Sequence, residues 1–234
     1  MREIQQALRA VFARWGLPGR CRVDNGYPWA TWADLPPALA LWLIGLGIEV
    51  IWNHAYRPTE NAKVERCNGL VASWGDPAHC ADWADWEAHL AQVVQIQRER
   101  YPTATAHGRT RLEAAPALTQ RKRPYTAAAE AAQFDLVRVQ QHLAAGRYPR
   151  VVSKIGQITL YGKAYRVGRA WVGEQVWLQY DPATNEWVVG SKEGQELIRH
   201  GAEQISAERI CALQVSHPRP PSRKKRRPNL DAPP

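Results

Sequence analysis

The sequence has no apolar run that approaches the roughly 20 residues needed to cross a bilayer. Its first fifteen residues are charged and amphipathic, unlike the apolar core of a secretory signal peptide. These absences argue against a membrane protein and predict a protein of the cytosol. With 234 residues and 45% hydrophobic content, the chain is long enough to bury a core in one or two domains.

The sequence also lacks cysteines at metal-binding or redox spacing. Its four cysteines are scattered along the chain: Cys21, Cys67, Cys80 and Cys211. The absence of a Cys-x-x-Cys motif argues against a zinc ribbon and a disulfide framework. A zinc site built from Cys67, Cys80 and the neighbouring histidines fits poorly, because the spacing of these ligands is irregular. We therefore expect reduced, partly buried thiols.

Acidic residues are scarce relative to basic ones, which gives a net charge of +9. Seven basic residues against two acidic ones occupy positions 98–123. The C-terminal tail adds a basic run without any acid: Arg219, Arg223, Lys224, Lys225, Arg226 and Arg227. An anionic polymer is the natural partner of such clusters. The alternative is a disordered tail that only aids solubility.

Periodicity and turn signals predict alternating helices and strands in the first part of the chain. Apolar residues at helical spacing predict a helix over residues 2–15, and a second helix is predicted over 38–46. Short strands are predicted at Arg20–Val23 and near Ile48–Ile51. Asp24 follows the first strand, at the edge where α/β sheets place functional groups.

A third helix, predicted to open near Glu60, has a polar face and an apolar one. The polar face carries Asn61, Glu65 and Asn68, and the apolar face carries Val64, Cys67 and Val71. A fourth helix is predicted from Asp82 to Arg100, and the helical spacing of its tryptophans favours a place in the core over a base-stacking surface.

The second half of the sequence has a different composition and a different apolar pattern. Residues 101–125 are basic and rich in turn signals, which is typical of a linker that follows DNA, and a helix is predicted over 127–144. From about residue 150 the apolar residues alternate with period two between glycine turns, which predicts a small β-barrel. The predicted divisions are 1–102, 103–149, 150–215 and a disordered tail over 216–234.

Asp24 and Glu65 form a candidate acidic pair, since a strand end and a helix face can converge on one metal site. Two-metal phosphoryl transfer needs carboxylate oxygens that hold divalent cations beside the reacting phosphate. Spacing alone is weak support, because Glu65 could simply pair with its neighbours Arg66 or Lys63.

The sequence around the two acids resembles the catalytic core of the DDE transposases and retroviral-type integrases. The matching segments are Phe12-Ala-Arg-Trp-Gly-Leu-Pro18, Val23-Asp-Asn-Gly26, Leu46-Gly-Ile48 and Tyr56-Arg-Pro-Thr-Glu-Asn-Ala-Lys-Val-Glu-Arg-Cys-Asn68, in that order. The later stretch from Arg150 to Gly168 is similar to the barrel that follows this core in bacterial insertion-sequence transposases. The resemblance implies an α/β fold: an RNase H-like integrase core, truncated at its start, then an SH3-like barrel and a disordered basic tail.

The resemblance also implies roles for individual residues. Asp24 would be the second catalytic acid and Glu65 the third, and together they would hold Mg²⁺ or Mn²⁺. Helix residues Asn61, Lys63 and Arg66 would approach DNA. Further phosphate contacts are expected from the barrel and the tail: Lys154, Lys163, Arg166, Arg223, Lys224, Lys225, Arg226 and Arg227. No small-molecule cofactor and no membrane partner are expected.

The family pattern places a strand with the first aspartate before the opening helix, whereas Glu3 is the only acid before Asp24 here. We therefore expect a truncated, catalytically incomplete transposase fragment of the bacterial nucleoid that binds DNA and associates with itself or with an intact transposase. The alternative is a non-catalytic DNA-binding protein that regulates transposition. A nuclear protein is a third hypothesis, because Arg223–Arg227 also fits an import patch.

Overall fold

The computed structural model describes residues 1–29, 35–54 and 58–216, apart from the side chains of Pro58 and Lys63. Helices and strands alternate in the first half and antiparallel sheets follow, so the protein has the mixed α/β structure that the sequence predicts. It divides into two compact units, Met1–Trp32 with Leu39–Arg138 and Ala33–Ala38 with Val139–Pro234. The four-part division drawn from the sequence stays a prediction.

The elements up to residue 145 are mostly helical. They are α1 (Arg2–Trp15), β1 (Arg20–Val23), α2 (Ala38–Gly45), β2 (Glu49–Trp52), α3 (Ala62–Trp74), α4 (Trp83–Glu99), α5 (Arg111–Ala114), α6 (Glu130–Gln133) and α7 (Leu136–Ala145). Within the described ranges, no helix combines the length and the apolar character that a membrane span requires.

Strands β1 and β2 form a parallel pair in which Arg20 lies opposite Glu49 and Val23 opposite Trp52. Parallel strands need a crossover connection, and α2 lies in it. The pairing extends to the carboxyl ends of both strands, because the backbone N–H of Asn53 donates to the carbonyl of Val23 at 2.9 Å. The residues that follow β1 and β2 therefore emerge side by side.

Helix α2 is the most buried element of the first unit. Its side chains from Leu39 to Leu43 are fully buried, which suits a helix that is apolar on all sides. The ring of Trp42 stacks on Phe12 of α1 with 5.9 Å between centroids. Burial of each large side chain contributes about 2 kcal/mol. This burial stabilises the position of α2 in the connection between β1 and β2.

Helices α3 and α4 are more exposed than their sequence predicts. Trp83 is 68% exposed and Val64, on the apolar face of α3, is 58% exposed, so the prediction that Trp83 lies in the core was wrong. Trp86 is half-buried and donates its indole N–H to the carbonyl of Gly75 at 2.7 Å. Trp83 is the first residue of α4 and contacts the ring of Trp86 with 4.9 Å between centroids, so helical spacing alone does not show that the helix end lies in solvent.

Residues 101–125 contain short helical turns and internal contacts where the sequence predicts a loop. Helix α5 is capped by Thr110, whose hydroxyl and Glu113 form a reciprocal capping box. The guanidinium of Arg123 donates to the carbonyls of Pro18 and Gly47 at 3.1 and 3.0 Å. At least this cation of the basic stretch is therefore used inside the first unit.

The predicted helix over 127–144 is interrupted. A 3-10 turn at Ala127–Ala129 leads into α6, and the chain leaves helical geometry at Phe134 before α7 begins. The Asp135 carboxylate accepts from the N–H of Val137 at 2.9 Å, and short acidic side chains compete in this way with continuous helix. The break turns the ring of Phe134 onto Gly45 of α2.

The second unit contains β3 (Tyr148–Val151), β4 (Gln157–Leu160), β5 (Lys163–Arg166), β6 (Gln175–Asp181), β7 (Glu186–Gly190), β8 (Glu196–Gly201) and α8 (Ala207–Cys211). One antiparallel sheet has the order β3-β6-β7-β8, and β4-β5 form a separate hairpin. Its core is made by alternate residues: Ile158, Leu160, Tyr165, Val176, Leu178, Tyr180, Trp187 and Val189. Across the described strands no closed barrel forms, because β5 pairs with β4 while β6 pairs with β3 and β7.

Two glycines of the first unit should respond to alanine in opposite directions. A methyl group on Gly45 would lie 2.1 Å from Cε2 of the Phe134 ring, and relieving such overpacking costs about 1–3 kcal/mol. A methyl group on Gly69 in α3 would meet nothing within 4 Å, and alanine favours a helix interior by about 0.5–1 kcal/mol. Urea unfolding should show Gly45→Ala destabilised and Gly69→Ala stabilised. Equal shifts for both would contradict this packing.

Candidate functional site

Asp24 is the first residue after β1 and its side chain is exposed. Its Oδ1 accepts a hydrogen bond from the N–H of Gly26 at 3.2 Å, which closes a tight Asx-type turn. The adjacent Asn25 donates from Nδ2 to the carbonyl of Asn53 at 2.7 Å. The turn thus holds the Asp24 carboxylate at the carboxyl end of the parallel pair, as the sequence predicts.

Asn53 occupies the corresponding position after β2 and is only 8% exposed. Besides its backbone bonds to the β1 end, its Nδ2 donates to Oδ1 of Asn61 at 2.7 Å. Its Oδ1 accepts from Nη1 of Arg22 at 3.3 Å. Asn53 therefore connects the ends of both strands with the start of α3.

Glu65 lies in the first turn of α3 with its side chain exposed. Its N–H donates to the carbonyl of Asn61 at 3.0 Å, which is the first regular helical bond of that turn. Asn61 holds the N-cap position but makes no side-chain cap bond to its own helix. Its Oδ1 instead accepts the hydrogen bond from Nδ2 of Asn53, which links the start of the helix to the ends of the strands.

The two predicted acids are thereby linked through a continuous set of hydrogen bonds. It runs from the residues flanking Asp24 through Asn53 and Asn61 to the backbone of Glu65. Among the side chains that the structure describes, neither carboxylate takes part in an ion pair, and Arg66 does not pair with Glu65. Within the described side chains, no ion pair occupies either exposed carboxylate.

Glu60 is the nearest other acid in the sequence, and its carboxylate is already occupied. It accepts from the backbone N–H of His54 at 2.9 Å and from Arg22 at 3.2 Å, and it contacts the His54 ring at 2.8 Å. The backbone bond from His54 and the contact with its ring lower the pKa of Glu60. Glu60 is therefore a structural acid of this region.

A cation at Asp24 and Glu65 would have a small protein ligand set. No group of three or more histidine, cysteine, aspartate or glutamate side chains with metal-binding geometry occurs in the described part of the chain. Mg²⁺ is commonly held by one or two carboxylates together with water and substrate phosphate oxygens. Two unpaired, exposed carboxylates fit that pattern, whereas they do not fit a dedicated protein cage.

The cysteine and histidine side chains near α3 make other contacts. Cys67 contacts Oε1 of Gln97 through its thiol at 3.7 Å, and Nε2 of His89 lies 2.7 Å from the carbonyl of Trp74. The pKa of Cys80 is raised by burial, so its thiol form is favoured. These contacts agree with the expectation of reduced, partly buried thiols.

The predicted DNA-binding cations of the second unit lie around the β4-β5 hairpin. Lys154 is exposed in the turn before β4, and Arg166 is exposed at the end of β5. Lys163 lies 3.5 Å from Glu203 and 5.1 Å from the Tyr165 ring centre. Because side chains alternate along a strand, Lys163 and Arg166 lie on opposite faces of β5 and cannot bind one phosphate together.

The remaining residues that are predicted to bind DNA belong to α3 and to the C-terminal tail. Arg66 is exposed on α3. The side chain of Lys63 lies outside the described residues, as does the tail that contains Arg223, Lys224, Lys225, Arg226 and Arg227. Their assignment to DNA binding stays a prediction.

Sequence patterns missed Asn53, which connects the two acids, and its neighbours Arg22 and Glu60. One signal was present: a polar residue directly after a short strand, at the same edge as Asp24, is a candidate for a functional role. Its burial and its partner eight positions later are visible only in three dimensions.

Comparison with models of known protein families gives no match for this sequence. The resemblance to the DDE transposases therefore stays a prediction that rests on the motifs around Asp24 and Glu65.

Proposed function

We propose that this protein acts on DNA as a portion of a DDE-type transposase or integrase, with Asp24 and Glu65 as ligands of a divalent cation. The hydrogen bonds that join Asn53 to Val23, Asn25 and Asn61 carry the proposal, because they fix the start of α3 against the carboxyl ends of β1 and β2. Functional groups of α/β sheets occur at that edge.

The chemistry proposed is phosphoryl transfer between DNA strands. A bound Mg²⁺ or Mn²⁺ supplies positive charge to the phosphate oxygens and lowers the pKa of the attacking water or hydroxyl. Asp24 and Glu65 contribute carboxylate oxygens to hold it. Arg66 and Lys63, which flank Glu65 on α3, contribute charge toward the DNA backbone.

A complete site of this type needs a third acid. Among residues 1–234, no acid is found in the matching position before Asp24, and the Glu60 carboxylate is engaged by Arg22 and His54. We propose that a partner chain, such as an intact transposase, supplies the third ligand. Activity of residues 1–234 alone is then expected to be slow.

We also propose that the first unit contains part of an RNase H-like core and that the second unit is an SH3-like domain. The β1-α2-β2 crossover with α1 and α3 is consistent with part of an RNase H-like core. The antiparallel sheet and the β4-β5 hairpin, with their shared buried side chains, are consistent with an SH3-like domain that is open between the two sheets.

A non-catalytic DNA-binding protein is the second candidate, and the exposed cations favour it. Lys154, Arg166 and Arg66 have no ion-pair partner among the described residues, and the chain carries a net charge of +9. Such cations bind phosphates without a metal. Both candidates predict DNA affinity that falls steeply as salt is added.

Nicking of supercoiled plasmid distinguishes the two candidates. The wild-type protein should nick DNA slowly with Mn²⁺ or Mg²⁺ and not with EDTA, and the combined Asp24→Asn, Glu65→Gln variant should lose nicking while it retains DNA binding. Glu87→Gln, on an exposed glutamate of α4, is the matched control and should behave as wild type. Binding without metal-dependent nicking in any variant would instead establish the non-catalytic candidate.

A further inference from the structure

We infer that Asn53 is a positioning residue, which sets the place of Asp24 relative to Glu65 through the start of α3. The inference rests on the proposed function, because it concerns a cation that the two acids share. It assigns a role to a buried amide that the family resemblance does not single out.

The backbone of Asn53 holds both neighbours of Asp24. Its N–H donates to the carbonyl of Val23 at 2.9 Å, and its carbonyl accepts from Nδ2 of Asn25 at 2.7 Å. Because both residues that flank Asp24 are bound to the same residue, the turn carrying Asp24 cannot shift independently of Asn53.

The side chain of Asn53 holds the other acid through Asn61. Asn61 accepts from Asn53 with Oδ1 at 2.7 Å, and its carbonyl accepts from the N–H groups of Val64 and Glu65 at 2.9 and 3.0 Å. An asparagine at the N-cap ordinarily bonds to its own helix. Here that side chain is directed to the strand ends, so the first turn of α3 is anchored there.

Arg22 settles which way the Asn53 amide is oriented. A guanidinium can only donate, so the atom 3.3 Å from Nη1 of Arg22 is the amide oxygen. The amide nitrogen then necessarily faces Oδ1 of Asn61. The orientation of Asn53 is therefore fixed by chemistry, and the donor toward α3 is defined.

Alanine at position 53 separates positioning from ligation. It retains the backbone bonds to Val23 and Asn25 and leaves both carboxylates in place, but it removes the side-chain bonds to Asn61 and Arg22. Asn61→Ala removes the Asn61 bond and leaves the Arg22 bond, so a loss of cation affinity common to both variants must arise from the placement of α3. Replacing a residue that orients metal ligands typically weakens metal binding by about 10–100-fold.

The test is a Mn²⁺ titration of the full chain, with free Mn²⁺ measured by electron paramagnetic resonance. Asn53→Ala and Asn61→Ala should each weaken binding about 10-fold. The double variant should be no weaker than the more affected single variant, because both substitutions break the same Asn53–Asn61 bond. Asn68→Ala, on an exposed asparagine of the same helix, should bind as wild type. Thermal melting of each variant shows whether it is folded.

The outcomes separate the inference from the function on which it rests. If Asp24→Asn and Glu65→Gln weaken Mn²⁺ binding while Asn53→Ala and Asn61→Ala do not, or if those two losses add, Asn53 is not a positioning residue and the proposed function stands. If Asp24→Asn and Glu65→Gln leave the affinity unchanged, the proposed cation site itself is wrong. Should Asn53→Ala fail to fold, Asn61→Ala breaks the same bond from a half-buried position and decides the question.

Discussion

Replacing Glu130 by glutamine is expected to lower the free energy of unfolding by about 2 kcal/mol, between the effects of exposed and of buried ion pairs, because the Arg9 side chain that loses its partner is 31% exposed. Glu130 is only 7% exposed and accepts from Nε and Nη2 of Arg9 at 2.8 and 2.6 Å. It also accepts from the hydroxyl of Tyr125. The cluster joins α1 to α6, and glutamine cannot satisfy all three donors. Urea unfolding followed by circular dichroism measures the change.

An exposed ion pair of the same unit provides the control. Arg20 and Glu49 are in contact at 2.8 Å across β1 and β2, but their side chains are 74% and 58% exposed. Glu49→Gln should therefore change the unfolding free energy by less than about 1 kcal/mol. Comparable losses for Glu130→Gln and Glu49→Gln would show that the Glu130 cluster stabilises the first unit no more than an exposed ion pair does.

The contribution of Glu130 should also depend on pH. Burial alone would raise its pKa, but hydrogen bonds from Arg9 and Tyr125 outweigh burial and lower the pKa from 4.5. A carboxyl group with a lowered folded-state pKa stabilises the fold fully above its unfolded pKa and loses that effect as pH falls through the folded value. The stability difference between wild type and Glu130→Gln should thus be constant at neutral pH and shrink below about pH 4.5.

The parts of the fold that follow from local physics could be predicted from the sequence. The helix at Arg2–Trp15 and the strand at Arg20–Val23 have the predicted bounds, because amphipathic spacing and turn residues act within one element. Asp24 lies at a strand end for the same reason. The predicted place of Glu65 on a helix face, away from bulky apolar neighbours, agrees with its exposure.

The remainder depends on contacts between distant residues. The break at Phe134 fits the ring against Gly45, which lies 89 positions earlier in the chain. Arg123, one of the cations assigned to a DNA-binding stretch, is directed to carbonyls near residues 18 and 47. No periodic pattern contains this information. A basic or aromatic residue can serve a partner or the fold, and only its three-dimensional neighbours decide.

The contacts that connect the two acids of the candidate site could not be predicted from the sequence either. Two acids could be selected because their surroundings matched a known motif, but the amides that connect them had no motif. Asn53 is polar and buried, and a buried amide is stable only when its donor and acceptor groups are satisfied. Its partners Arg22 and Asn61 come from β1 and from the start of α3, so its role arises only once the fold has formed.

Replacing Asp24 by asparagine or Glu65 by glutamine is expected to lower the rate of metal-dependent plasmid nicking at least about 100-fold, the scale on which loss of one electrostatic contact to a transition state acts. Replacing both should lower it no further, because ligands of one cation act as a unit and their losses do not add. Single-turnover nicking rates of the two single variants and the double variant, with Glu87→Gln as reference, measure the coupling. Independent, multiplying losses would mean that the two carboxylates serve different steps and do not share a cation.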